Sequence, residues 1–383
     1  MNQPAMRQTR SRYAVTFDGR YGFIDQTGKP VISLPPEVYN VRDFSEGLAV
    51  IGVRVPNTHG RWGFVDETGK VVIRPQFQRA QPFSEGLAAV VISDGEDTIG
   101  RLGYIDRTGA VVIRPQFSGS SGGYHFFSQG LAAVETQAGK WGYVDKAGAM
   151  AIRPQFDVAF RFSEGLAVVG MNETTYSLEK RYGYIDRSGS WVVRPRFTDA
   201  GGFSEGLAAV TEGGKVGYIN RQGELVIKPQ FEVGNPCGDG SWYERPRDFS
   251  EGLAAVLVAG KWGYIDRAGR VVIEPRYDCA QRFAEGLAVV GSRTGPVTRM
   301  GYIDKAGTPV IELQFTGAGA FSGGLAPVGV GPDDETLLKA MREAERDKSE
   351  RAIEKLLELN EDVRHGYIDK SGKYVWPPTK QLP

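Results

Sequence analysis

Lys261-Trp262-Gly263-Tyr264-Ile265-Asp266-Arg267-Ala268-Gly269-Arg270-Val271-Val272-Ile273-Glu274-Pro275-Arg276-Tyr277 is the stretch that decides the fold. Its block recurs nine times, anchored at Gly22, Gly63, Gly103, Gly142, Gly183, Gly217, Gly263, Gly301 and Gly366, with spacings of 41, 40, 39, 41, 34, 46, 38 and 65 residues. A period near 40 residues marks a repeat architecture. Trp262 and Tyr264 share one face of an extended strand, and Gly263 and Ile265 the other. Ala268-Gly269 supplies the positive-φ residue that a tight hairpin needs. The proline that follows the next apolar run removes a ladder donor, and is expected to end the pairing there.

A second block, Phe283-Ala284-Glu285-Gly286-Leu287-Ala288-Val289-Val290, follows the first. In five of eight copies the aspartate of the first block precedes the phenylalanine of the second by 17 residues, as from Asp66 to Phe83. Length variation falls mainly between the second block and the next anchor glycine. Each module therefore reads as three short strands, such as those around Trp62–Asp66, Val71–Ile73 and Leu87–Val90. The prediction is an all-β tandem array of about nine antiparallel meanders, stacked as an open superhelix, with a closed propeller-like ring as the alternative. The domain boundaries expected are an N-terminal arm 1–12, modules over 13–332, a helical insertion 333–362 and a last module with its tail over 363–383.

The recurring Lys-Trp-Gly-Tyr-Ile-Asp and Phe-Ser-Glu-Gly-Leu-Ala blocks resemble the WG-repeat (KWG) family of bacterial β-repeat proteins, from about Tyr13 to Pro378. The resemblance implies a bacterial origin, a protein-interaction role and no general catalytic activity. Departures occur at the tryptophan position (Tyr21, Leu102, Tyr182, Val216, Met300, His365), at Asn220 in place of aspartate and at Gly323 in place of glutamate.

Composition narrows the classes. The chain has 383 residues, 46 basic and 46 acidic, so it lacks the basic excess that nonspecific nucleic-acid binding requires. Its 51 glycines fit a turn-rich array, and 11% aromatic content excludes disorder. Cys237 and Cys279 are too few for a disulfide framework or a four-thiolate zinc site. His59, His125 and His365 lack metal-ligand spacing, no phosphate-cradling motif occurs, and the expectation is a chain that is not an enzyme and carries no cofactor or metal. The first ten residues show no apolar core of a secretory signal and no stretch approaches 18 apolar residues, so a cytoplasmic location and no membrane partner are expected.

A residue that recurs in every module occupies an equivalent place and most simply serves the fold. The tyrosines after the anchor glycine are expected to form a buried aromatic ladder, rather than an exposed stripe. The periodic aspartates, each just before a turn, are expected to accept backbone hydrogen bonds rather than bind metal. The basic position before proline is more open: Arg74, Arg114, Arg153, Arg194 and Lys228, then Glu274 and Glu312. These residues either face an acidic partner or pair with the modules' own carboxylates.

Recognition is expected where modules differ. The insertion 234–247 carries Trp242, Tyr243 and Arg245, an aromatic pair beside an arginine of the kind found at binding hot spots. Residues 118–125 form a smaller irregular stretch ending in Tyr124 and His125. In 333–362, Leu337, Leu338, Met341 and Ala344 share helical spacing, as do Ile353, Leu356 and Leu357, which predicts an amphipathic helix or helical hairpin. It would cap the stack or serve docking and self-association. The function expected is a protein-binding scaffold. The alternative is a glycan or cell-wall polymer module that uses Trp242, Tyr243 or a Trp62/Trp141/Trp262 stripe.

Overall fold

The computed structural model describes residues 11–56, 58–93, 100–119, 125–172, 179–234, 247–293, 298–332, 334–347, 359 and 363–380. The chain is all-β apart from one helix among the described residues, Asp334–Asp347. It divides into two compact units, residues 1–195 and Arg196–Gln381.

Within each unit the module is a small up-and-down antiparallel sheet. Around Gly63 it runs Val38–Val41, Leu48–Val53, Arg61–Asp66 and Val71–Phe77, hydrogen-bonded in that order. The same order recurs around Gly103 (Arg79–Ala80, Ala88–Ile92, Arg101–Ile105, Val111–Ser118) and, in the second unit, around Gly301 (Cys279–Ala280, Ala288–Arg293, Thr298–Ile303, Pro309–Phe315). The modules around Gly22 and Gly142 have three described strands each, and those around Gly217 and Gly263 are joined by one pairing, Glu232 with Leu257.

Most modules thus have four strands where the sequence reading gave three. The extra strand is two residues long in most modules and begins two residues after the aromatic that closes the preceding third strand, as Arg79 does after Phe77. Such a strand is too short for alternation to reveal. Its signal is an alanine three residues after that aromatic and three before the next phenylalanine: Ala80, Ala159, Ala200, Ala280 and Ala318.

Two hairpins build each module. In the Ser-Glu-Gly-Leu turn, Ser84 and Leu87 exchange both backbone hydrogen bonds (2.9 and 3.2 Å), and Glu85 and Gly86 have φ of 53° and 89°. Two consecutive positive φ angles define the type I′ hairpin, whose twist suits the flanking strands. In the second hairpin, the amide of Gly109 donates to the carbonyl of Asp106 at 3.0 Å and that of Asp106 to Ala110 at 2.9 Å.

The third strand corrects the expectation about proline. It runs through Pro75 to Phe77, because two extra residues are accommodated between the pairs Phe64–Ile73 and Trp62–Phe77. The proline sits in this bulge, where a missing donor costs nothing. The bulge also explains the anchor glycine: a Cβ at Gly63 would lie 2.6 Å from the Ile73 carbonyl oxygen and 2.7 Å from the Pro75 nitrogen.

The cores lie between consecutive modules. Leu87, Ala89, Leu102 and Tyr104 of one module pack with Phe127, Ala132, Val134 and Val144 of the next. Leu253, Ala255, Trp262 and Tyr264 pack likewise with Phe283, Ala288, Val290 and Ile303 in the second unit. Alternate residues of the Leu-Ala-Ala-Val strand face opposite neighbours, so the whole run is apolar. Burying each large ring contributes about 1.5–3 kcal/mol.

Candidate binding surface

Most recurring side chains have a partner within the array. The aspartates go to turns. Asp106 Oδ1 accepts from the Thr108 amide (2.9 Å), the Thr108 hydroxyl (2.6 Å) and the Ala110 amide (3.0 Å). The hydroxyl bond, with the two amides, holds this carboxyl below the usual aspartate range. Asn220 keeps the geometry with its own Oδ1, which accepts from the Gln222 and Glu224 amides at 3.0 Å each. An acceptor oxygen, not a charge, is what the position requires.

Serine, glutamate and tyrosine hold successive modules together. Ser84 Oγ donates to the carbonyl of Phe127 in the next module at 2.7 Å, as Ser250 does to Phe283. Glu85 accepts from the Gln129 and Gly130 amides of the next type I′ turn at 2.6 and 2.9 Å, and pairs with Lys146 at 3.2 Å. Desolvation opposes ionisation of Glu85, but the two amides and Lys146 prevail and its pKa is lowered. Glu251 is held in the same way by the Gly286 amide and Lys305. This reach explains a glutamate at a left-handed position that asparagine fits better locally.

Tyr104, Tyr143, Tyr184, Tyr218, Tyr264 and Tyr302 are buried, as expected, whereas Tyr367 in the last module is half-buried. Tyr104, Tyr143, Tyr218, Tyr264 and Tyr302 each pair with the next module's phenylalanine. Tyr104 and Phe127, Tyr218 and Phe249, and Tyr264 and Phe283 have ring centroids 5.0 Å apart. The hydroxyls of these five tyrosines donate to the carbonyl two residues before that phenylalanine, as Tyr143 does to Phe160 at 2.8 Å and Tyr264 to Gln281 at 2.8 Å. Desolvation pushes the Tyr143 and Tyr264 hydroxyls above the ordinary phenol range.

Sequence reasoning missed a further junction at the residue after the third-strand aromatic. Asp157 accepts from the Asn172 amide of the next module (2.8 Å) and from Lys140 Nζ of its own (2.6 Å). Asp278 does the same with the Arg293 amide (2.9 Å) and Lys261 (2.6 Å). This gives the lysine before tryptophan its role. Only its recurrence near an unexplained acidic residue could have signalled it.

One set of recurring residues is left over. On each third strand Ile73 and Phe77 turn inward, while Val72, Arg74 and Gln76 are exposed. The counterparts Val112-Arg114-Gln116, Ala151-Arg153-Gln155 and Val226-Lys228-Gln230 are exposed too, as are Val192 and Arg194. Val72 and Val112 are 41% and 42% exposed, far more than inward branched residues. Among the described residues Arg74, Arg114, Arg153, Arg194 and Lys228 have no ion pair or side-chain hydrogen bond. Recurring carboxylates such as Asp106, Glu85 and Asp157 are instead engaged in turns and junctions. In the first unit all four such cations are arginines, whereas the second carries Lys228, Glu274 and Glu312.

The tryptophan stripe is corrected. Trp262 and Trp141 are 2% and 8% exposed, since this position points inward and pairs with the aromatic that ends the third strand. Trp62 is half-buried between Tyr39, edge-on at 5.9 Å, and the Arg42 guanidinium at 5.5 Å. On the helix, Leu337 and Ala340 are buried, whereas Leu338 is exposed and lies off that face. Trp242, Tyr243, Arg245 and most of the insertion beyond Asp347 lie outside the described residues. Cys279 is disulfide-bonded. Among the described residues no helix is long and apolar enough to cross a membrane.

Comparison with known families now adds to this geometry. The profile described as "WG containing repeat" matches residues 21–53, 62–95, 103–141, 141–174, 182–215, 217–234, 243–262, 262–291 and 300–331. The chain belongs to this WG-repeat family. No curated protein matches it significantly in sequence. Among solved structures, the WG-repeat chain is similar to one described as the eukaryotic initiation factor, with 11% identity, 97% of each chain covered and a TM-score of 0.62. That likeness shows a shared fold. Looser similarities are to BamB from Moraxella catarrhalis (13% identity, 75% of this chain and 95% of that one, TM-score 0.41) and to the β-propeller domain of the Trilobed protease from Pyrococcus furiosus (9%, 76% and 90%, 0.37).

Proposed function

We propose that this WG-repeat protein is a non-enzymatic scaffold that binds another protein through the outward face of its third strands. A tandem repeat held by nearest-neighbour contacts presents the same surface many times over, which suits multivalent recognition. The observation that carries the reading is the division of labour among recurring residues. Aspartate, serine, glutamate and tyrosine serve turns and junctions, while the valine and cation of the third strand stay exposed and uncommitted. An exposed apolar residue alone means little, but the same one repeated in successive modules forms a designed surface. Burial of Trp141 and Trp262 weighs against a glycan surface built on that stripe.

The test is a chain with Val72→Thr, Val112→Thr, Val192→Thr, Val226→Thr and Val272→Thr together. Threonine keeps the β-branched shape that the strand favours and removes apolar contact. The circular dichroism spectrum should be unchanged, and proteins captured from the native host by the wild type should be lost. Capture of the same proteins by both chains would refute the proposal.

A further inference from the structure

Resting on that reading, we infer that the first unit's surface takes an acidic segment whose carboxylates and branched aliphatic residues alternate along one face. Val72 and Arg74, Val112 and Arg114, and Val192 and Arg194 each sit two residues apart on one outward strand face. A complementary extended chain must therefore offer an apolar residue and an acid two residues apart. The third strands that carry them, with Ala151 and Arg153 on the one between, follow one another in the same way, because each third-strand isoleucine lies against the next module's turn glycine: Ile73 against Gly109, Ile113 against Gly148, Ile152 against Gly189.

Charge selects the partner's sign. Arg74, Arg114, Arg153 and Arg194 are exposed and have no internal carboxylate partner among the described residues. Recurring acids such as Asp106, Glu85 and Asp157 are bonded to amides, hydroxyls or lysines. The equivalent positions Glu274 and Glu312 in the second unit would repel the same segment. Arg276 in the second unit is tied to a module junction, its guanidinium donating to the Gly307 carbonyl at 2.7 Å. Guanidinium groups also favour carboxylates by their bidentate geometry.

The experiment uses the full chain and labelled peptides of repeated Val-Ser-Asp-Ser, with Val-Ser-Asn-Ser and Val-Ser-Lys-Ser repeats and an oligonucleotide as competing probes, read by fluorescence anisotropy. The aspartate peptide should bind, and weaken as salt rises, because exposed charges are screened over about 8 Å at physiological ionic strength. Arg74→Glu/Arg114→Glu/Arg153→Glu should lower its affinity roughly tenfold or more, from three exposed attractions turned into repulsions. Glu274→Lys/Glu312→Lys should leave binding unchanged or strengthen it. No binding of the aspartate peptide, equal binding of the asparagine peptide, equal affinity of the arginine variant, or tighter binding of the oligonucleotide would each overturn the inference. The scaffold reading would survive those results, because it is judged by the valine variant and native partners alone.

Discussion

Removing one hydroxyl at a module junction tests the account of how the array is held together. Tyr143 meets Phe162 edge to face with centroids 4.9 Å apart and donates to the Phe160 carbonyl at 2.8 Å. Tyr143→Phe keeps the ring and leaves that carbonyl without its donor, which costs about 1–1.5 kcal/mol. Tyr143→Ala also removes the buried ring and should cost about 3–5 kcal/mol. Nature supplies the reciprocal case: Phe64 occupies the equivalent place, packs on Phe83 at 4.9 Å and has no hydroxyl. By the recurring geometry, a hydroxyl there would meet the Gln81 carbonyl. Phe64→Tyr should therefore stabilise its junction by up to about 1 kcal/mol. Since repeat arrays unfold by local opening as well as globally, native-state hydrogen exchange around Leu166–Asn172 and Ala88–Ile92 is the assay. A change of 1 kcal/mol appears as about a fivefold change in the opening constant. If Tyr143→Phe left exchange unaltered, or if Phe64→Tyr destabilised its junction as much as Tyr143→Ala does, the hydroxyl would not be a junction element.

Other consequences are equally measurable. Gly103→Ala would place a Cβ 2.6 Å from the Ile113 carbonyl oxygen and 2.8 Å from the Pro115 nitrogen, so it should lower the unfolding midpoint sharply, whereas a wild-type midpoint would refute the bulge argument. The carboxyls of Asp25, Asp106, Asp186 and Asp369 are lowered, first by their turn hydroxyls, so the stability they confer is full above about pH 4 and lost as pH falls through their folded-state values. Replacing all four with asparagine should flatten that acid dependence while preserving the fold, as Asn220 does, and an unchanged slope in urea melts at pH 2–5 would contradict this. Thiol labelling of the denatured, unreduced protein followed by peptide mapping should find Cys279 blocked; a labelled Cys279 would contradict its disulfide.

The sequence determined the three longer strands of each module by itself. Period-two alternation, a turn glycine and a repeated block suffice for a β meander, because strand faces and hairpin geometry are local properties. It likewise assigned the aspartates to turns, since their donors lie within four residues. What it could not assign were partners from another module. The reach of Glu85 to Gly130, the bond from Tyr143 to Phe160 and the double role of Asp157 link residues between 15 and 45 positions apart. Local chemistry gives the same serine, glutamate or aspartate many possible uses. The bulge at Pro75 was hidden for a related reason: only the opposing strand shows whether a proline ends a ladder or widens it. Tertiary structure thus decided which recurring groups were already engaged, and by subtraction left the third-strand valines and arginines facing outward.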